Sequence, residues 1–330
     1  LLLPACATKQ IKPAAVIAPP PTPAFITGMR QLTFDGRRAG EGYFSKDGTQ
    51  LIFQSERDPQ NPFYQIYLMD LKTGRTNRVS PGQGKTTCSW IAPDGKKVLF
   101  ASTHADPELK GKIEAEWAER KNPTKKYNWS FDDAYEIYEA RPDGKGLKNL
   151  THAKGYDAEG SYSPDGKWIA FASNRAAYAT KLSPEDQAKF DRDPSYMMDI
   201  YIMRADGSDV KQLTNVKGYD GGPFFSPDGR RITFRRFAED GHSAEVYTMN
   251  IDGTDQRQIT HMKAMSWAPF YHPSGDYLIF ATNKEGYANF ELYMVDVKGE
   301  REPVRVSNLP NFDGLPVFHP DGRSLIWTHS

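Results

Sequence analysis

Hydrophobic and polar residues alternate with period two through much of this chain. The clearest stretch is residues 218–234, GYDGGPFFSPDGRRITF. After SPDG, Ile232 and Phe234 fall on one side and Arg231, Thr233 and Arg235 on the other. Such alternation predicts a half-buried strand. The same parity recurs at Leu51/Phe53, Val98/Phe100, Ile169/Phe171, Leu278/Phe280 and Leu325/Trp327. Each strand follows a turn like SPDG, with Pro second and Gly fourth in the type I arrangement. The segments YFSKDGTQLIF (43–53), WIAPDGKKVLF (90–100), YSPDGKWIAF (162–171), FSPDGRRITF (225–234), YHPSGDYLIF (271–280) and FHPDGRSLIW (318–327) therefore predict six hairpins.

The turn glycines fall at 48, 95, 166, 229, 275 and 322, so a unit of about 46 residues recurs and is stretched twice. A second module follows five of the copies: QIYLMDLKTGRTNRVS (65–80), EIYEARPDGKGLKNLT (136–151), DIYIMRADGSDVKQLT (199–214), EVYTMNIDGTDQRQIT (245–260) and ELYMVDVKGEREPVRVS (291–307). Each reads as strand, Asp/Gly turn, strand. The two modules give four antiparallel strands per repeat. Six repeats predict an all-β, six-bladed β-propeller over residues 25–330, an architecture that leaves only short sheet edges. The sixth repeat lacks its second module. MRQLT (29–33) matches the closing strand of the others and is expected to complete that blade. One strand would still be missing, unless the C-terminus is truncated.

Composition fits this fold. Aromatic residues make up 12% of the 330, with 27 Gly and 24 Pro to turn short strands. Lys plus Arg and Asp plus Glu both number 42, so the basic excess of a nucleic-acid binder is missing. No apolar run approaches the roughly 20 residues that span a bilayer. The chain starts LLLPAC rather than with Met, which resembles the tail of a bacterial lipoprotein signal with Cys6 as the lipidated residue. The end of an ordinary secretion signal, or a chance leucine run, are the alternatives. Residues 1–24 then read as signal remnant plus a Pro/Ala-rich tether. The expected location is the periplasm or outer envelope of a bacterium, with the membrane reached only through the lipid. Cys88 is expected to be a small buried hydrophobe, or the partner of Cys6 in a disulfide.

The FSPDG hairpins, each coupled to an IYxM–DG–xxLT hairpin, resemble the TolB-like propeller family over roughly residues 29–330. The resemblance implies a periplasmic protein that binds other envelope proteins. TolB carries an additional N-terminal α/β domain, for which these 330 residues are expected to leave no room. Related propellers serve as N-terminal domains of prolyl-oligopeptidase-like peptidases and as uronate lyases.

The SPDG and Asp-Gly turns are short and uniform and lie on one face. Two insertions, 104–134 and 175–198, leave second strands on the other face. DPELKGKIEAEWAER (106–120) and SPEDQAKF (183–190) predict helices there. These insertions are either lids over the channel or solvent-exposed decoration. Loops leading into the innermost strands of this face carry Glu41, Asp157, Glu159, Asp220 and Asp313. Loops leaving the second strands carry Arg57, His104, Arg175, Arg235, Arg236 and Lys284. A ring of acids and bases at a channel mouth suits a peptide, a sugar or a cation; the other reading is that these charges pair and hold the blades together.

The enzyme readings find less support. The Gly-x-Ser-x-Gly signature of α/β-hydrolases does not occur. Of seven histidines, His272 and His319 replace the turn serine, His104, His152, His261 and His329 fall on the insertion-bearing face, and His242 lies in a short loop. None has a tight metal-ligand spacing. No Gly-rich phosphate loop runs from a strand into a helix. The sequence thus predicts a non-catalytic propeller without cofactor or metal, binding a protein or peptide segment at the channel mouth. A carbohydrate-active or metal-dependent enzyme using the same mouth is the alternative, with a small molecule or glycan as ligand.

Overall fold

In the computed structural model, which describes residues 25–122 and 131–330, each SPDG-type turn is locked by its own side chains. Ser163 Oγ donates to Asp165 Oδ1 (2.7 Å) and accepts from the Trp168 amide (3.0 Å), while the Gly166 amide returns to the Ser163 carbonyl (2.9 Å). Ser45 with Asp47 and Ser226 with Asp228 repeat the pattern. All six turn glycines have φ between +66° and +80°, a conformation that costs any other L-residue strain.

The second module also has a local cause. Its closing hydroxyl accepts a third-strand amide in every complete repeat: Ser80 from Ile66, Thr151 from Ile137, Thr214 from Ile200, Thr260 from Val246 and Ser307 from Leu292. The same hydroxyl donates to the side chain of the residue just before that amide: Gln65, Glu136, Asp199, Glu245 or Glu291. An acid or amide before Ile/Val/Leu-Tyr and a Ser or Thr at the end of the module are therefore two halves of one lock.

Five four-stranded antiparallel blades, two of them joined into one eight-stranded sheet, and one two-stranded blade form around a central channel. Their innermost strands are Arg38–Phe44, Thr86–Ile91, Asp157–Tyr162, Gly218–Phe225, Ser266–Tyr271 and Asp313–Phe318. In the four-stranded blades the outermost strands are only two or three residues long, which blunts the edges. On the insertion-bearing face, neighbouring blades are joined through backbone. The Thr86 amide donates to the Tyr64 carbonyl (3.2 Å), Asp157 to Tyr135 (3.1 Å) and Asp313 to Phe290 (2.8 Å). Parallel pairing of Met197–Met198 with Gly218–Tyr219 makes the equivalent joint between blades 3 and 4.

On the opposite face the joints flanking blade 6 are made by the two histidines that replace the turn serine. His272 Nε2 donates to the Gly322 carbonyl and His319 Nε2 to the Gly48 carbonyl, both at 3.0 Å. His319 thereby closes the ring from blade 6 to blade 1. The closing strand expected at 29–33 does not form. Leu32 packs near Ile326 of blade 6 and Leu51, Phe53, Tyr67 and Met69 of blade 1, but Gln31–Arg37 run along the channel mouth instead of continuing the sheet. Blade 6 accordingly has two strands among the described residues.

Both insertions are helical and leave second strands, on one face. Helix α1 (Leu109–Glu119) begins later than the Asp106-Pro107 pair suggests, because Asp106 binds the Glu108 amide (2.8 Å) and Lys112 (2.6 Å). Helices α2 (Arg175–Ala179) and α3 (Pro184–Arg192) form the second insertion. Ser183 caps α3 as the sequence predicts, accepting from the Asp186 amide (3.1 Å). No helix among the described residues is long and apolar enough to cross a membrane. Cys6 and its tether lie outside the described residues.

Candidate functional site: a blind channel ringed by six strand bulges

Every innermost strand carries one extra residue relative to its neighbour, a β-bulge. At each bulge one residue takes positive φ: Glu41 (41°), Cys88 (52°), Glu159 (59°), Gly222 (61°), Ala268 (52°) and Leu315 (55°). Each stands seven positions before its turn glycine, as 41 does before 48. The left-handed conformation redirects these side chains, and all six line one central cavity of about 1010 Å³. Five of the six are not glycine, at a cost of roughly 1–2 kcal/mol each.

Two positions further along, the innermost strands close the channel. Tyr43, Trp90, Phe224 and Phe270 pack ring against ring, with centroids 4.7 Å (Tyr43–Trp90), 5.5 Å (Trp90–Phe224) and 5.4 Å (Phe224–Phe270) apart. Val317 joins the same core. The cavity is thus blind, floored by this aromatic plug. It opens on the insertion-bearing face, where Phe34, Arg37, Arg38, Phe237, Phe312 and His329 line it.

Polar groups gather on one side of the bulge ring. Glu159 accepts from Arg235 Nη2 (2.8 Å), from the Tyr219 hydroxyl and from the Gly222 amide, and the Arg235 guanidinium lies 4.6 Å from the Tyr219 ring centroid. Glu41, two blades away, has no such cation. Its carboxyl accepts from the Tyr43 hydroxyl (3.0 Å) and from the Cys88 thiol (3.8 Å). Burial, reinforced by the facing Glu159, pushes the Glu41 carboxyl up to about 7. Burial likewise raises Cys88, Tyr43, Tyr156 and Tyr219 well above their ordinary values. Three buried polar atoms on this lining have no hydrogen-bond partner: the Tyr156 hydroxyl, Arg235 Nε and Trp267 Nε1.

Of the eleven charged residues singled out by sequence, the structure brings Glu41, Glu159 and Arg235 together in the cavity. Asp157, Asp220 and Asp313 are fully buried within their own blades. Asp157 pairs with Arg175 (2.6 Å), Asp220 with Arg236 (2.6 Å) and Asp313 with His329 (2.8 Å). Arg175 also covers Phe171 and Tyr201, Arg236 covers Phe234 and Tyr247, and Arg57 covers Phe53 and Tyr67. His104 packs on Tyr138 (4.4 Å), and burial lowers its pKa. Lys284 is exposed. No described residue of either insertion lines the cavity. Helix α1 is instead held to blade 1, where Arg120 binds Glu56 and the Pro62 carbonyl.

Sequence reasoning missed Cys88, Tyr156, Tyr219 and Trp267. A signal was available, since counting seven back from each turn glycine finds the bulge residues and counting five back finds the plug. Among the described residues, no three His, Cys, Asp or Glu side chains form a group able to hold a metal ion.

Comparison with known proteins agrees with the fold. The TolB beta propeller domain model matches residues 223–330. A TolB homolog of Chlorobium luteolum is 28% identical over 145 residues, 39% of this chain and 32% of its own length; the chain spans about a third of the length of the curated relatives it matches. Among solved structures, TolB from Acinetobacter baumannii superposes with a TM-score of 0.57 at 21% identity, covering 86% of this chain and 57% of the other. An oligogalacturonate lyase in complex with manganese gives 0.55 at 16% identity, covering 86% and 70%. At these identities the likeness shows a shared fold. The chain is a TolB-like β-propeller.

Proposed function

We propose that this TolB-like β-propeller is a non-catalytic binding module of the bacterial cell envelope. In this reading a segment of a partner protein enters the blind channel from the insertion-bearing face. The observation that carries it is the channel itself: one mouth, aromatic walls formed by Phe34, Tyr64, Phe237, Trp267 and Phe312, and a cluster of buried polar groups at its base. Aromatic side chains supply contact area at little entropic cost, so they suit the recognition of an inserted peptide. Glu159 is already satisfied by Arg235 Nη2, the Tyr219 hydroxyl and the Gly222 amide, so it shapes the base instead of standing ready as acid or base.

Affinity capture from envelope extract tests this, comparing the wild type with Ala268→Trp, which puts an indole into the channel. Both proteins must first melt alike. A protein captured by the wild type and lost with Ala268→Trp supports the reading. A partner that ignores this change but is lost on deletion of 105–133 moves the site to the first insertion. An empty capture overturns protein binding. The envelope location rests on the LLLPAC start, and palmitate labelling that Cys6→Ser abolishes would support the lipid anchor.

A further inference from the structure

The channel base has an unbalanced charge. Two carboxylates, Glu41 and Glu159, share the bulge ring, and the guanidinium there, Arg235, is committed to Glu159. Glu41 is held by neutral donors, the Tyr43 hydroxyl and the Cys88 thiol. A carboxylate in such a place is costly unless a cation reaches it. The same cavity lining holds donors without acceptors. Tyr156 has no exposed surface, and its hydroxyl is unpartnered; Arg235 is 9% exposed, and its Nε is unpartnered. Both residues line the cavity, and both are electrostatically coupled to Glu159.

A ligand that matches this base therefore offers a cation to Glu41 and an acceptor to Tyr156 and Arg235. A lysine side chain offers the cation with no acceptor near it. A peptide amino terminus offers both, because its first carbonyl oxygen is three bonds from the ammonium nitrogen. We propose that the base of the channel captures the free amino terminus of a peptide, with the α-ammonium on Glu41 and the first carbonyl on the Tyr156 hydroxyl and Arg235 Nε. The following side chains then lie against Trp267, Phe312 and Phe237 nearer the mouth. This rests on the peptide-binding reading above and specifies which part of the peptide goes in first.

The test uses the full chain and a tetrapeptide-amide library labelled at its C-terminal end, made with free and with N-acetylated amino termini. Fluorescence anisotropy reads binding. The expected result is binding of free-amine peptides about 10- to 100-fold tighter than of their acetylated forms, the worth of one or two charge-assisted hydrogen bonds. Glu41→Gln should abolish that preference, and Tyr156→Phe should weaken free-amine binding while both variants melt as folded proteins. Equal binding of the two libraries overturns amine capture and leaves peptide binding intact. Binding of neither library overturns both. Glu41-dependent binding of glucosamine without binding of any peptide assigns the ammonium site to amino sugars and overturns the peptide terminus.

Discussion

Replacing Glu41 by Gln should stabilise the protein, increasingly so as pH rises from about 4.5 to about 7. The carboxyl is raised from 4.5 to about 7 because the cavity wall desolvates it and Glu159 faces it. Between these values the folded state binds a proton that the unfolded state has released. Stability must therefore fall as pH rises through this window, the reverse of the usual salt-bridged carboxylate. The cost is absent below about pH 4.5 and fully present above about pH 7. A rise of this size corresponds to about 3 kcal/mol, or about 2 kcal/mol once water reaching through the open mouth is allowed for. Glutamine keeps an oxygen to accept from Tyr43 and carries no charge. Denaturant melts at pH 5, 6, 7 and 8 should show the variant and wild type nearly equal at pH 5, and the variant about 2–3 kcal/mol more stable at pH 8. For a protein of this size that is roughly 3–5 °C in Tm. Glu136 and Asp199, also raised to about 7 by burial, tilt both curves alike and cancel in the difference. Parallel curves would refute the reasoning, and a wild type more stable at pH 8 would show that a cation already serves Glu41.

Four further outcomes follow from the joints, the clasps and the first insertion. Removing the ring-closing bond with His319→Ala should cost about 1–2 kcal/mol; Gly48→Ala should lower Tm more than Gly95→Ala, since both glycines have φ near +70° but only at Gly48 would a Cβ meet the His319 ring, at 2.3 Å. Asp220→Lys puts a cation opposite Arg236 in a fully buried clasp and should destabilise by about 3–5 kcal/mol in thermal melts; an unchanged Tm with weakened peptide binding would return Asp220 to the binding surface. Deleting 105–133 should leave one cooperative melt at a lowered Tm, because Glu56 keeps Arg38 (2.8 Å) when it loses Arg120, while Lys85 loses the largely buried Asp132 (3.0 Å); collapse of the transition would sink this.

The repeats were legible because turn and strand chemistry is local. SPDG fixes its own hydrogen bonds within five residues, and the acid-to-hydroxyl lock of the second module spans about fifteen, so both print themselves on the sequence. MRQLT shows the limit of such matching. Its leucine finds the hydrophobic place that the pattern predicts, yet the following residues are drawn to the channel mouth. The charged loops were harder still. Position alone does not distinguish Asp220, clasped by Arg236 in its own blade, from Glu159, which reaches Arg235 across to the next blade. That difference is made by the bulge, which breaks the period-two count on which reading a strand depends.

The bulge also explains why the site is asymmetric on a symmetric scaffold. Backbone geometry demands one left-handed residue per blade, and glycine would satisfy it everywhere at no strain. Only blade 4 uses glycine, and a Cβ at Gly222 would come within 2.5 Å of Arg235 Nη1, so the glycine there makes room for the guanidinium. Blades 1, 2 and 3 instead place Glu41, Cys88 and Glu159 on consecutive positions of the ring, while blades 5 and 6 place Ala268 and Leu315. One half of the channel base is thus ionisable and the other apolar. Folding alone does not require a strained left-handed glutamate, twice, with one carboxyl hydrogen-bonded by neutral donors, the Tyr43 hydroxyl and the Cys88 thiol. A ligand whose leading end is charged on one side and carries hydrocarbon on the other matches that division. If instead Glu41→Gly and Glu159→Gly each raised stability without altering capture of any partner, the asymmetry would be a relic of the repeats and not a site.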